Sequence, residues 1–584
     1  LKRLNWSALL IVQALLISAG TRSSFALLHP SPPSPGKTNG RVIAQVYVRG
    51  KHHLDVVAGQ LDIWEAHPNE GYVLAAITSH QEQWLKDLGY RVEVDVDRTA
   101  ALQTSFVLDP RYHYFDQQYP NPNGRYVVDL LRDINAAYPD LTQLIDIGDA
   151  WMTLQPGEPH RDLWVLRVTN EDPAYGNIAD KPALFISGAM HAREVVASEL
   201  AIRYLKYLTA GYDGEGGYGL DADVTWLVDH HVAYVLVMHN PDGHVENERN
   251  PTDNRRKNMN WDDGCSNPQL WGVDLNRNHS FLWSCCAGSS GDPCAETYRG
   301  PGRRSEPETQ AFEDYFAKVM KDQNGPNGDG EIAPSSPITT TGIFISLHSY
   351  GDLVLWPWSF DGYGSAPNHA ELQTIGRKFA VRSGYNPAGS IWYQADGTAD
   401  DWAYGKFGVP SFTFEVGPGS GVCGGFFPAY ECIDGYAHRD FWAENKDAFL
   451  YAHKIARMPF VSAYGPDVQI LAPADTALLW DGSGQLLVTI TDERCCGDTA
   501  QAIAGAEYFV DSPGEDGTGI PMEPVGGDWG DQPMDSVATV DTSEFPLGRH
   551  YILVHGQSAD GSWGPFSGAF AQIDHRIHLP LVVQ

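Results

Sequence analysis

Three segments, ALFISGA (183–189), GIFISLH (342–348) and SFTFEVG (411–417), are apolar on successive residues rather than on alternate ones. A strand apolar on both sides has to be covered on both sides, so these segments require a sheet enclosed by helices and exclude an open sheet with one wet face. LWVLRV (163–168) and HVAYVLVMHN (231–240) carry the same pattern. Between them and the N-terminus, YVVDLLRDINAAY places Val127, Leu130, Leu131 and Ile134 on one stripe, the spacing of a helix that docks on a sheet. Ligands of such sheets gather where strands end. The three apolar segments run into His191, His348 and Glu415, so three titratable groups are expected at one sheet edge.

At 584 residues the chain exceeds one core, and composition divides it. Residues 1–26 open with Lys2 and Arg3, continue with an apolar run and end in a small-residue triplet, the layout of a cleaved export signal. A Pro- and Ser-rich linker (27–40) precedes a small α+β unit (41–97) in which RVIAQVYVRG and RVEVDVD alternate as strands and SHQEQWLKDLGY reads as a helix. The catalytic candidate spans 112–458. Short strands separated by turn signals then suggest an immunoglobulin-like β-sandwich over 465–574, followed by an apolar tail (575–584).

Lys and Arg number 40 against 74 Asp and Glu, a net charge of −34, which excludes sequence-independent nucleic acid binding. Beyond the leader no apolar run reaches membrane-spanning length. The mature chain is therefore expected to be extracellular, without a transmembrane segment, and monomeric. Eight cysteines, at 265, 285, 286, 294, 423, 432, 495 and 496, fit an oxidising compartment, and Cys423 with Cys432 is the most local pair a loop could close.

His191 and Glu194 stand three residues apart, and a helix from Ala192 onward would set both near its start on adjoining faces. With His348 they make two imidazoles and a carboxylate, a set that suits one Zn²⁺ and leaves a position for water. Glu415 is then placed to act as general base.

Around these residues the chain resembles the zinc metallocarboxypeptidases of the pancreatic carboxypeptidase A/B and bacterial carboxypeptidase T type. The resemblance is carried in order by MHARE (190–194), HNPDG (239–243), NRRKN (254–258), GVDLNRN (272–278), LHSYG (347–351), IWYQADGTADDW (391–402) and FTFEVG (412–417). It implies a zinc carboxypeptidase-like α/β fold with a mixed, mostly parallel sheet. The small α+β unit would be a prosegment that covers the cleft until it is cleaved. Peptides or proteins with a free C-terminus would be the substrates. His191, Glu194 and His348 would hold the zinc, and Glu415 would activate its water. Arg256 would stabilise the oxyanion, Asn276 and Arg277 would bind the terminal carboxylate, Arg193 would bind substrate further along, and Tyr393 would close over the last residue. Seven positions after Tyr393 stands Asp400, where an acidic group favours terminal Arg or Lys, although the T-type enzymes also accept apolar residues; Asp401 adjoins it. The loops 283–294 and 321–340 depart from the animal enzymes, and their Asp and Asn oxygens could take Ca²⁺. Two other readings remain: a cell-wall hydrolase of γ-D-glutamyl-diaminopimelate bonds from the same superfamily, and an inactive binding protein.

Overall fold

In a computed structural model of the chain, residues 40–103, 108–115, 127–212, 221–325, 335–360, 364–389, 392–472, 478–479 and 483–573 are described. The expected leader, nearly all of the linker and the apolar tail lie outside these residues.

The N-terminal unit is a four-stranded antiparallel sheet of β1 (Val42–Tyr47), β2 (Asp62–His67), β3 (Tyr72–Ile77) and β4 (Arg91–Val94), in the order β2-β3-β1-β4. Leu54, Val57, Trp84 and Leu85, from helices Lys51–Ala58 and Ser79–Asp87, fill its core against Val46, Val73 and Ala75. Thr78 and Gln81 form a reciprocal cap at the second helix. RVEVDVD is a strand only as far as Val94, because the Asp95 carboxylate accepts the Arg98 N–H (2.9 Å) and turns the chain into a helix, Val96–Gln103. This helix continues past residue 97, and the Thr99 hydroxyl accepts the Ile43 N–H of β1 (2.9 Å).

The central body holds an eight-stranded mixed sheet of β5 (Thr142–Asp149), β6 (Asp162–Val168), β7 (Ala183–Gly188), β8 (Val232–Leu236), β9 (Ile343–His348), β10 (Leu353–Leu355), β11 (Asn386–Gly389) and β12 (Ser411–Glu415). Its order is β11-β10-β12-β9-β7-β8-β6-β5. The inner strands β8, β7, β9 and β12 run parallel, while antiparallel pairs flank them on both sides. Every residue of β7, β8 and β9 is buried, as the unbroken apolar runs require. Helix Val127–Ala137 buries Val127, Leu131 and Ile134, with Leu130 half-buried beside them.

After Pro459 two further sheets share one core. Asp467–Ala472, Ser483–Thr491, Met534–Asp541 and Glu523–Pro524 form one sheet. Leu478–Leu479, Ser567–Ile573, Gly548–Ser558, Ile503–Val510 and Ile520–Pro521 form the other. Leu486, Val488 and Ile490 of the first meet Tyr508, Ile552 and Val554 of the second. Disulfides join Cys265 to Cys294, Cys285 to Cys286 and Cys423 to Cys432, while Cys495 and Cys496 are free thiols. No helix among the described residues is long and apolar enough to cross a membrane.

Candidate metal centre and cleft

Because β7, β9 and β12 are parallel neighbours, their C-terminal ends deliver side chains to one place. His348 closes β9 and pairs in register with Glu415, which closes β12. His191 and Glu194 follow β7. They do not lie on the helix expected from Ala192: that helix begins at Val195, and the two residues occupy the turn before it, where the Glu194 N–H donates to the His191 carbonyl (3.1 Å). The turn is fixed from the side by HNPDG. The Asn240 side chain donates to the Met190 carbonyl (3.2 Å) while its oxygen accepts from Gly243 (3.0 Å). A Cβ on Gly243 would lie 2.7 Å from the Ala192 Cβ, so a side chain there would displace the ligand turn.

His191 Nδ1 and His348 Nδ1 approach to 3.0 Å, and the Glu194 carboxylate reaches them at 2.7 and 2.8 Å. Behind the rings, His191 Nε2 meets Asp274 (3.2 Å) and His348 Nε2 meets Ser346 (2.9 Å). Outer partners of this kind fix ring orientation, which leaves both Nδ1 atoms and the carboxylate facing one point. Burial works against charge on Glu194, but the two imidazoles outweigh it and hold the carboxylate well below its usual range. Burial, first among several causes, also keeps His348 below the ordinary imidazole range and so favours the neutral ring that ligates metal. These residues fit Zn²⁺. The described residues contain one other group able to hold a cation, Asp149, His160 and Asp162, and it does not involve the loops 283–294 and 321–340.

Of the two arginines in NRRK, Arg255 is spent on the carbonyls of Trp271 and Pro268. Arg256 faces the site: its Nε and Nη2 donate to Asp274 (3.0 and 2.9 Å), and its Nη1 stands 3.2 Å from His191 Nδ1. Asp274 therefore orients a ligand and an arginine together. Sequence reading gave Asp274 no role, and its only signal was a carboxylate inside the otherwise apolar start of GVDLNRN.

A cavity of about 310 Å³ brings together His191, Glu194, Arg256, Asn276, Arg277, Tyr393, Asp400 and Glu415. Burial first, then Glu194, pushes Glu415 well above the usual carboxylate range against the pull of Arg256, Arg193 and Arg277. Asp400 is 3% exposed and accepts from Thr413 Oγ1 (3.2 Å) and the Asp401 N–H (3.0 Å). Asp401 is turned to the Ser359 backbone N–H instead (3.1 and 3.2 Å) and does not line the cavity, which separates the two adjacent acids.

Arg193, expected to meet substrate, is already engaged. Its guanidinium makes a bidentate pair with Asp62 of β2 (2.8 and 2.7 Å) and stacks 4.0 Å from the Phe426 ring. Ile63, Trp64, Glu65, Ala66 and His67 of the same strand line the cavity. Tyr393 packs on the core of the N-terminal unit. The sequence held no sign of these contacts, because nothing local to Asp62 identifies a partner 131 positions away.

A parallel-centred α/β sheet with a two-His, one-Glu metal centre and a carboxylate beside it defines a metallohydrolase. The particular family is shown by comparison. Residues 127–443 match the zinc carboxypeptidase family, and the chain belongs to it. It is 27% identical over 403 residues to carboxypeptidase B of Bos taurus (65% of this chain, 85% of the relative). To a zinc carboxypeptidase of Saccharothrix mutabilis subsp. capreolus it is 28% identical over 440 residues (71% and 91%). Among solved structures, carboxypeptidase A of Helicoverpa armigera has the same fold, with a TM-score of 0.52 at 20% identity, covering 71% of this chain and 98% of that one. The chain is thus a metallocarboxypeptidase, and the family implies Zn²⁺ and peptide substrates.

Proposed function

We propose that the chain is exported as the zymogen of a zinc carboxypeptidase that removes single C-terminal residues, Lys and Arg in preference, with the 42–103 unit as its prosegment and an immunoglobulin-like sandwich behind the body. His191, Glu194 and His348 would hold the ion. When bound, Zn²⁺ supplies a polarised carbonyl and a water whose pKa is lowered to about 7. Glu415 takes a proton from the attacking water and passes it to the leaving amine. Arg256, held by Asp274, offers its guanidinium where negative charge develops on the scissile oxygen, so it acts on turnover more than on binding. Arg277 spends Nε and Nη1 on the carbonyls of Gly288 and Asn276, and its Nη2 has no hydrogen-bond partner among the described residues, which suits a substrate carboxylate.

The observation that carries the specificity is Asp400, a buried carboxylate on the cavity wall with no cationic partner among the described residues. A buried charge without its counter-ion is costly, and a terminal Lys or Arg would supply one. A panel of blocked dipeptides differing only in the last residue tests this on the zinc-loaded protein, after a proteolytic nick beyond residue 103. Release of Arg and Lys ahead of Phe is expected, with that order lost in Asp400→Ala. Undiminished Arg cleavage in the variant would refute the pocket assignment. Full activity before the nick would refute the zymogen.

A further inference from the structure

Arg277 is held from behind by a loop, and that loop is held by a buried carboxylate with no role assigned so far. The Arg277 Nε donates to the Gly288 carbonyl (3.1 Å). Gly288 lies directly on the backbone of the segment that follows Tyr393: a Cβ there would stand 2.6 Å from the Ala395 Cα. What pins this loop is Asp396, which is 0% exposed. One of its oxygens accepts the N–H groups of Cys286 (3.0 Å) and Gly288 (2.9 Å), and the other accepts the Ser289 hydroxyl. One residue on, Gly397 (φ 73°) leaves no room for a side chain, since a Cβ would meet the Arg277 carbonyl at 2.4 Å. Its own carbonyl accepts from His279 (3.1 Å).

The loop 286–289 and the segment 395–397 therefore clamp Arg277 from two sides, and the Asp396 carboxylate is the shared acceptor through which the first is bonded to the second. We infer that Asp396 is a positioning residue for Arg277, acting through the Gly288 carbonyl to fix the guanidinium that receives the substrate's free α-carboxylate. Three donors converge on one carboxylate, and each is a backbone or hydroxyl group that would otherwise be left without an acceptor on burial. Loss of that clamp lets the Gly288 carbonyl move, and the Arg277 fork loses its fixed orientation. Outer partners of metal ligands alter affinity by about 10- to 100-fold when removed, and the lower figure is expected for this clamp on an arginine. Because ground-state carboxylate binding is at stake, the effect belongs in KM and in product affinity rather than in kcat.

The inference rests on Arg277 as the carboxylate receptor, so the experiment separates the two. On the zinc-loaded, nicked protein, inhibition constants are measured for arginine and agmatine, which differ only in the α-carboxylate, and for 3-phenylpropanoate and its primary amide, whichever pair the pocket takes. Asp396→Asn, which places an amide N–H₂ against donors, is expected to weaken the carboxylate ligand about tenfold and to raise KM by a similar factor. The carboxylate-free ligand and kcat should stay within about twofold. Ser289→Ala, which removes one of the three bonds, should shift the same ratio by about two- to threefold. Equal weakening of both ligands, or no change in either variant, overturns the inference. If Asp396→Asn fails to retain zinc, an unchanged ratio in Ser289→Ala overturns it alone. Arg277→Gln is the control. Discrimination lost there but kept in Asp396→Asn refutes the positioning role only; discrimination kept in Arg277→Gln refutes the carboxylate reading beneath it.

Discussion

The N-terminal unit meets the α/β body at the cleft and beside it: Asp62 pairs with Arg193 on the cavity wall, Asp55 accepts from Gln394 next to the lining residues Tyr393 and Ala395, and Gln60 accepts from Ser290. The C-terminal pair of sheets meets the same body through a buried network that touches no residue of the site. Lys378 lies within 3.1 Å of Asp467 and 3.4 Å of Asp492, Lys454 donates to the Ser567 hydroxyl (2.9 Å), Asp223 accepts the Gly568 N–H (2.6 Å), and Leu553 packs with Trp226 and Leu227. Both contacts are charged. The difference is in the body residues they use, for the first engages Arg193 on the cavity wall and the second engages groups away from the cavity. A contact on the wall can obstruct the cleft; a contact away from it can only hold.

Three measurements would break or sharpen that contrast, and a fourth tests the body between the two contacts. On the nicked protein, Glu415→Gln should lower kcat by about 10³-fold with zinc still bound, by the usual worth of a general base. A loss under about tenfold would remove Glu415 from the chemistry. In the remote network, Lys378→Ala should cost about 2 kcal/mol of unfolding free energy, since Asp467 and Asp492 lose a buried donor but keep Arg382 and Arg494, yet kcat should not move. Reduced turnover there would abolish the distinction between the two contacts.

Glu308 belongs to neither contact. Burial first, then Asp242 and Glu306, pushes its carboxyl up to about 8. The folded chain thus keeps a proton that the unfolded chain releases near pH 4.5, so stability falls as pH rises toward 8 and levels off above it. Between about pH 6 and pH 9 the loss should be on the order of 2 kcal/mol, and denaturant titrations of Glu308→Gln should show a correspondingly flatter profile. Smallest is Asp62→Ala in the unnicked chain. Freeing Arg193 while β2 still lines the cleft should raise residual activity about tenfold, and an unchanged residual rate would make the pair a structural one only.

Much of the site could be read before the fold was in hand because its residues are punctuated by local pattern. A short apolar run on consecutive residues that ends in polar groups suits a strand covered on both faces, so the ends of β7, β9 and β12 could be located from ALFISGA, GIFISLH and SFTFE. The helix expected from Ala192 begins three residues later, at Val195, since the four-residue repeat that begins at Val196 does not reveal where the first helical hydrogen bond closes. Likewise RVEVDVD alternates to its end, and only the Asp95 carboxylate on the Arg98 N–H stops the strand.

What the sequence by itself determined is the donor set and the sheet that presents it, because metal chemistry needs particular side chains and buried strands need particular periodicity. Tertiary structure decided how their neighbours are placed. It turned Arg255 away from the site while Arg256, named by the resemblance, faces it, kept Asp401 off the cavity wall that Asp400 lines, set Asp274 behind His191, and closed Asp62 over Arg193. Each of these choices depends on which of two adjacent side chains faces inward, or on a partner far along the chain. Local pattern carries neither kind of information, and packing fixes both.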